Sequence, residues 1–410
     1  MTNMQWSRIK TMVVEVVELI SALFLFGLII LVSPLIRFRF HVLPVDEIGP
    51  LFGDPHFYLW NKTRKVGSRS RVHDVFVFHP DMFVSNQLVV KKWKSKLCVT
   101  DSSVVVKTQA IFFRLKIFRH LVRKGIDYPD RFPDLPSRSF KVEIPLDAEE
   151  ERSAIANLKS LGFDAERQFV ALIVRDGAYK ARYRRAPLPI DVKEAYRNHL
   201  IGDFAMLPEI SERNGVHMVR LGVAVEEKFP TSNHTLFDYA STGARDEVTD
   251  LFLLTRCELA VSTSVGLDAV CAIAGIPRLV VNIAPYRVLA NHYAWDTVLP
   301  VRYRLKGALG TLGLGESLKL ESVLNFRGSE ELQRQGLEII RATPKDLAEA
   351  YGDALARAQT GDHLSAADET LQREFWKVLE RSLNLRPFTS HPRPRVAPSF
   401  LRRYSEWLYG

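Results

Sequence analysis

A chain of 410 residues exceeds what one ordinary hydrophobic core holds, so two domains are expected, and 47% apolar with 25% charged residues is the composition of a globular protein. No repeat or low-complexity tract occurs, which sets aside solenoids and disordered scaffolds. The net charge of +9 is unevenly placed: residues 56–136 carry 16 Lys and Arg against 6 Asp and Glu, leaving the remainder near neutral. A basic face suits nucleic acid, anionic lipid or an anionic substrate. The aromatics among these basic residues, Trp93 included, form no stacking platform, so nucleic acid is not expected as a partner.

Leu19 to Ile36 is an uncharged run that as a helix would be about 27 Å long, close to the thickness of a bilayer's hydrocarbon core. It reads as a signal anchor or a deeply inserted monotopic helix, the alternative being a buried core helix. Arg8 and Lys10 on one side and Arg37 and Arg39 on the other leave orientation undecided. The basic residues downstream (Lys62, Arg64, Lys65, Arg69, Arg71) tip the globular part toward the cytoplasmic face of the inner membrane. On this reading a chain starting near Arg37 should be far more soluble. The three cysteines, Cys98, Cys257 and Cys271, lie in apolar runs with no Cys-x-x-Cys spacing, so burial in a reducing compartment is expected rather than a disulfide framework or a zinc site.

Val72 to His79 alternates as a first strand, and Asn86 to Lys94 reads as a basic amphipathic helix. Leu97–Val99 and Ser103–Val106 are predicted strands, with a helix near Ile111 to Arg123. The proline-punctuated stretch from Asp127 to Pro136 is a connection. Asp147 to Leu161 is a predicted helix, and Phe169–Val174 is an apolar, β-branched run suited to a buried parallel strand. It opens the second domain. A helix over Asp203–Asn214, a strand over Val216–Leu221, a segment at Thr235–Tyr239 and a helix over Asp246–Thr255 follow. They lead into a strand ending at Val261, a short helix and a strand from Arg278 to Ile283. Strand, helix, strand in alternation predicts a doubly wound parallel sheet. Gly307 to Gly315 reads as a flexible loop of the kind that forms a lid. Thr343-Pro-Lys-Asp opens a helix with Thr as N-cap, Pro at N1 and an acid at N3.

The turn Ser262-Thr-Ser-Val-Gly266 sets hydroxyls and a glycine beyond a strand's carboxyl end and before a helix, where an anion is favoured. Such residues also cap helices with no ligand at all. Arg175 and Asp176 end another strand, Arg220 a third, and Asp268 follows the turn. Two guanidinium forks and the turn on one sheet edge would suit a diphosphate; the competing reading pairs Arg175 with a rim carboxylate. Asp176, after a buried strand and before Gly177, is the expected catalytic base. No P-loop, His-Glu-x-x-His, Gly-x-Ser-x-Gly or Gly-x-Gly-x-x-Gly motif occurs, nor any Asp-x-Asp triplet, so no metal site is expected.

Together Asn86-Gln-Leu, Trp93-Lys, Ile173-Val-Arg-Asp, Tyr196-Arg-Asn198, Val219-Arg-Leu-Gly, Phe237-Asp-Tyr-Ala and Ser262-Thr-Ser-x-Gly-Leu-Asp268 resemble a bacterial family of glycosyltransferases found with surface-polysaccharide genes. The serine-rich turn with Gly-Leu-Asp and Gly-x-Pro is also similar to the donor region of GT-B transferases such as heptosyltransferases. The resemblance runs from about Phe38 to Phe400-Leu-Arg. It departs in a basic insertion, Lys180 to Pro189, which could alter acceptor choice.

The resemblance implies an α/β, GT-B-like chain of two Rossmann-like doubly wound domains. A membrane helix (1–36) precedes a basic acceptor domain (37–165), a donor-binding domain (166–342) and C-terminal helices (343–410). It implies a nucleotide-sugar donor, a saccharide or lipid-linked acceptor, and no separate cofactor. Arg197, Asn198, Asp238 and Tyr239 join Arg175, Arg220, Ser262, Thr263, Ser264, Gly266 and Asp268 as donor-binding residues. A non-catalytic saccharide- or nucleotide-binding protein of a polysaccharide assembly complex is the alternative.

Overall fold

The computed structural model describes residues 3–64, 72–115, 118, 122–123, 142–183, 195–230, 233–326, 328–383 and 393–410. The proline-punctuated stretch 127–136, the basic residues Lys65, Arg69 and Arg71, and insertion residues 184–189 lie outside them. The chain forms two compact units, Met1–Pro133 and Asp134–Gly410.

The first unit is built on a parallel sheet of order β3-β2-β1-β4. Its strands are β1 (Arg37–Val42), β2 (Val72–Val77), β3 (Val99–Thr100) and β4 (Val122–Arg123). The chain winds outward from β1 to β3 and then returns to the far side of β1, so the sheet is doubly wound. β1 is the strand that the predicted order lacked, although Arg-Phe-Arg-Phe-His-Val alternates cleanly. Two of its three polar positions, Arg39 and His41, are occupied rather than solvated. Asp74 of β2 receives Arg39 Nε at 2.5 Å, Arg39 Nη2 at 2.9 Å and the Tyr58 hydroxyl at 2.7 Å, and lies 2.6 Å from His41 Nε2. Burial alone would raise the Asp74 carboxyl, but the hydrogen bonds from His41, Arg39 and Tyr58 hold it well below the usual carboxylate range.

The other face of this sheet carries Phe40 and Val77, which pack with Phe112 and with Ile29 of the helix Asn3–Val32. The predicted strand Ser103–Val106 is instead the start of the helix Ser103–Arg114. Its β-branched run favours a strand locally, but Thr108 and Phe112 bury against the N-terminal helix, and that packing overrides propensity. Thr108 Oγ1 donates to the Ala22 carbonyl at 3.2 Å, Lys107 Nζ reaches Glu18 at 2.6 Å, and the Phe26 and Phe112 ring centroids are 4.6 Å apart. The helix Asn3–Val32 is therefore docked along its second half. Cys98 is exposed, against the expectation of burial, whereas Cys257 and Cys271 are buried.

The second unit holds a seven-stranded, all-parallel sheet of order β13-β10-β9-β8-β5-β6-β7. In chain order these are β5 (Phe169–Ile173), β6 (His217–Leu221), β7 (Leu236–Phe237), β8 (Leu259–Ser262), β9 (Arg278–Ile283), β10 (Thr297–Pro300) and β13 (Arg395–Val396). An antiparallel pair, β11 (Arg302–Leu305) and β12 (Leu337–Ile340), lies beside them. The fully buried run of β5 needs cover on both faces, and β8 and β9 are buried in the same way. The helix Ala148–Ser160, capped by Asp147 in a capping box, joins this unit. Asn157 Nδ2 donates to Asp246 at 2.6 Å and to Thr249 at 3.1 Å, at the start of the helix Glu247–Arg256. The two units thus divide upstream of residue 165.

Thr343 caps the helix Pro344–Thr360 with Asp346 as its reciprocal partner. Residues after 343 complete the unit rather than standing apart: β13 pairs with β10, and Phe400, Leu401, Trp407 and Leu408 are core residues. The glycine-rich stretch is fastened where Leu312 N donates to the Tyr303 carbonyl at 2.8 Å and Leu314 is buried. A Cβ at Gly313 would lie 2.7 Å from the Gly410 backbone, so this half of the stretch is packed and not a lid.

Candidate functional site at the carboxyl ends of β5 and β8

From β5 the chain moves outward to β6 and β7, then returns to β8 on the opposite side of β5 and continues through β9 to β10. The loops after β5 and β8 leave in opposite directions, which opens a crevice at this point of a doubly wound sheet. The residues gathered there come from three stretches of sequence. Arg175 N donates to Thr263 Oγ1 at 2.9 Å, stitching the two strand ends together. Arg175 Nε donates to Asn198 Oδ1 at 3.0 Å, and the Arg197 guanidinium donates to the Ser264 carbonyl. Ser264 is left-handed at φ 60°, uncommon for a side chain other than glycine's and costing about 1–2 kcal/mol. The structure therefore brings Arg175, Arg197, Asn198, Thr263 and Ser264 into one group, with Gly266 exposed in the same turn.

His199 locks this group to the sheet. Its backbone N–H donates to the Arg175 carbonyl at 2.8 Å, Nδ1 lies 2.8 Å from the Arg197 carbonyl, and Nε2 lies 2.9 Å from Asn282 Nδ2. An N–H at Nδ1 and a lone pair at Nε2 satisfy both contacts, so the ring is neutral. Burial lowers its pKa to about 4, helped by the charges of Arg341 and Arg175. Asn282, also left-handed at φ 55°, accepts the Ala342 N–H at 2.7 Å. Arg341 donates to the Tyr196 carbonyl at 3.1 Å and adds a third guanidinium to the neighbourhood. Neither His199, Asn282 nor Arg341 was singled out from sequence. The doublet Asn198-His199 was the available signal; Asn282 and Arg341 offered none.

The remaining predicted residues have internal partners. Ser262 Oγ donates to Asp268 at 2.5 Å, and Asp268 also accepts the Val265 N–H at 3.2 Å and Arg278 at 3.3 Å. Ser264 N donates to Ser262 Oγ at 3.1 Å. The helix after the turn, Asp268–Ile273, has six residues, and two approaching N–H groups are already bonded to side chains. Anion binding at this helix terminus is therefore replaced by the arginine group as the site's positive charge. Burial raises Asp268 while Arg278 and Ser262 pull it down. Arg278 in turn bonds Asp296 at 2.5 and 3.1 Å.

Asp176 accepts the Ala178 N–H at 3.1 Å with one oxygen and the Glu226 N–H at 2.8 Å with the other. It ties the loop after β5 to the loop after β6, one backbone N–H to each oxygen. Arg220 is 1% exposed and donates to the Glu227 carbonyl at 2.7 Å and to Asp238 at 3.3 Å. Asp238 also accepts from Phe229 N at 3.0 Å and Ser241 Oγ at 2.7 Å. Tyr239 is buried, its hydroxyl accepting the Asp246 N–H at 3.0 Å and pushed up to about 12 by burial. Arg220, Asp238 and Tyr239 form a second group, which shapes the β6–β7 side and is separate from the arginine group.

No family model matches the chain, and no curated protein matches it. Solved structures similar to it include ADP-heptose lps heptosyltransferase II from E. coli (TM-score 0.42, 10% identity), covering 78% of this chain and 100% of that one. The glycosyl transferase family 9 protein from Veillonella parvula gives a TM-score of 0.38 at 11% identity, covering 73% of this chain and 95% of that one. The E. coli heptosyltransferase WaaC with ADP-2-deoxy-2-fluoro heptose gives 0.32 at 10% identity, covering 66% and 94%.

Proposed function

We propose that this chain is a glycosyltransferase that takes a nucleotide-sugar donor at the β5/β8 crevice and transfers the sugar to a saccharide or lipid-linked acceptor at the cytoplasmic face of a bacterial inner membrane. The observation that carries the reading is the convergence of Arg175, Asn198 and Arg197 on the loops after β5 and β8. The motifs that carry the resemblance contribute all of these residues, and the fold gathers them from separate stretches of sequence at one sheet edge.

In the reaction the bond between the anomeric carbon and the donor's β-phosphate oxygen breaks. An acceptor oxygen bonds that carbon, and the acceptor's hydroxyl proton passes to a base. Charge develops on the leaving diphosphate, where Arg175 and Arg197 supply fixed guanidinium donors at no reorganisation cost. Neutral His199 holds the segment bearing Arg197 and Asn198 in register without adding charge. Asp176 positions the two loops.

Incubation with a panel of nucleotide sugars and bacterial lipid extract tests the proposal. Release of nucleoside diphosphate that depends on Arg175 and Arg197 is expected. Tight binding of a nucleotide sugar with no turnover in any acceptor mixture would move the chain to the non-catalytic class.

A further inference from the structure

The helix Asn3–Val32 has two faces that the sequence does not separate, because both are apolar. Glu18, Ala22, Phe26 and Ile29 lie on one, against the helix Ser103–Arg114 and the β1–β2 face. Trp6, Val13, Ile20, Phe24 and Leu31 lie on the other, at spacings of seven, seven, four and seven residues, which a 3.6-residue period stacks into one line. All five are exposed, Phe24 and Leu31 by 75% and 76%. The line is about 38 Å long.

A helix crossing a bilayer needs about 20 residues free of the soluble domain. Here only residues 3–17 precede the first docking contact at Glu18, and they include Arg8, Lys10 and Glu15. Withdrawing residues 18–32 to span would strip Phe40, Val77 and Phe112 of their cover. Charge is arranged to match: Glu18 is turned to Lys107, and exposed Lys10, Arg37 and Arg114 flank the helix. An apolar line flanked by cations fits a lipid leaflet with anionic headgroups.

We propose that the helix Asn3–Val32 lies in one leaflet of an anionic bilayer, with its Trp6–Val13–Ile20–Phe24–Leu31 line among the acyl chains, and does not cross it. This surface is independent of the β5/β8 site and stands or falls separately.

The test uses the full chain with vesicles of phosphatidylcholine containing one quarter phosphatidylglycerol. Wild type is expected to float with them, and Phe24→Glu/Leu31→Glu to partition at least about 10-fold less at an unchanged melting temperature. In a Cys98→Ser background, Lys10→Cys should react with an impermeant maleimide added on the side from which protein was added. Protection of that cysteine until the vesicles are lysed means a spanning helix and overturns the proposal, whatever the glutamate variant does. A wild type that stays off the vesicles and forms a dimer, converted to monomer by Phe24→Glu/Leu31→Glu, assigns the line to a second copy and also overturns it.

Discussion

Ser262 Oγ lies 2.5 Å from a carboxylate oxygen of Asp268, and the other oxygen of Asp268 faces Arg278 at 3.3 Å. Asp268 is therefore a post for the turn rather than a ligand for a donor. Asp268→Asn should lower stability to urea by about 1–3 kcal/mol, the cost of weakening a buried charged hydrogen bond, with Arg278 still held by Asp296. Nucleotide affinity measured on the folded variant should change little. A normal urea midpoint with a tenfold weaker affinity would return Asp268 to the binding surface.

The three arginines named from sequence divide into two kinds. Arg175→Ala and Arg197→Ala should weaken nucleoside-diphosphate binding by about 1.5–3 kcal/mol, the scale of charge-assisted hydrogen bonds. Arg220→Ala removes a buried guanidinium from Asp238 and should cost about 3 kcal/mol or more of stability with little effect on affinity per folded molecule. Calorimetric titration and thermal melts on the three variants separate these outcomes.

Acid should loosen the second unit through its neutral histidines. His199 at about 4 and His292 at about 3 both lie below the ordinary imidazole value, chiefly through burial. Below pH 6.5 the unfolded chain takes up protons that the folded chain refuses, so stability falls as pH drops from about 6.5 toward 4. Each such histidine contributes a loss of up to about 3 kcal/mol. Asp250, raised to about 6 by burial, works the other way over part of that range. Urea midpoints at pH 7, 5.5 and 4.5 should decline, and His199→Gln should flatten the decline. An unchanged slope in that variant would mean that His199 is charged in the folded protein.

Removing residues 1–36 should not give the soluble protein that hydropathy alone suggests. Ile29 contributes about 1.5–3 kcal/mol of burial to the first unit and half-buried Phe26 less than that, and their loss uncovers Phe40 and Phe112. The truncated chain should melt lower and aggregate, whereas Phe24→Glu/Leu31→Glu should stay folded in detergent-free buffer. A truncated chain that melts like the parent would show that the helix adds nothing to this core.

The sequence made the buried strands legible because a strand covered on both faces is apolar along nearly its whole length, as β5 is throughout and β8 and β9 are apart from Ser262, Arg278 and Asn282. Thr343 was readable as a cap, and the helices beginning at Asp147 and Asp246 by their starts, since a helix start is a local arrangement. What escaped has long-range causes. β1 looked half polar because Arg39 and His41 find their partner, Asp74, on the neighbouring strand. Ser103–Val106 looked extended until the N-terminal helix gave it a face to pack on. At the site, Arg175 and the Tyr196-Arg-Asn198 run were visible, but that Arg197 grips Ser264 while Arg220 serves Asp238 depends on the directions in which two loops leave the sheet.

The pairing of β13 with β10 has a consequence in time. Nearly a hundred residues separate Thr297 from Arg395, and the helix residues Trp407 and Leu408 follow the second of these. During synthesis the β10 edge stays open until residues 395–408 have left the ribosome, whereas the first unit's strands and the helix that covers them are complete by residue 123. The first unit can therefore settle while the larger sheet still exposes an unpaired edge. A ribosome stalled anywhere between residues 300 and 395 would present that edge to its neighbours, which makes this interval the one in which the nascent chain most needs a chaperone.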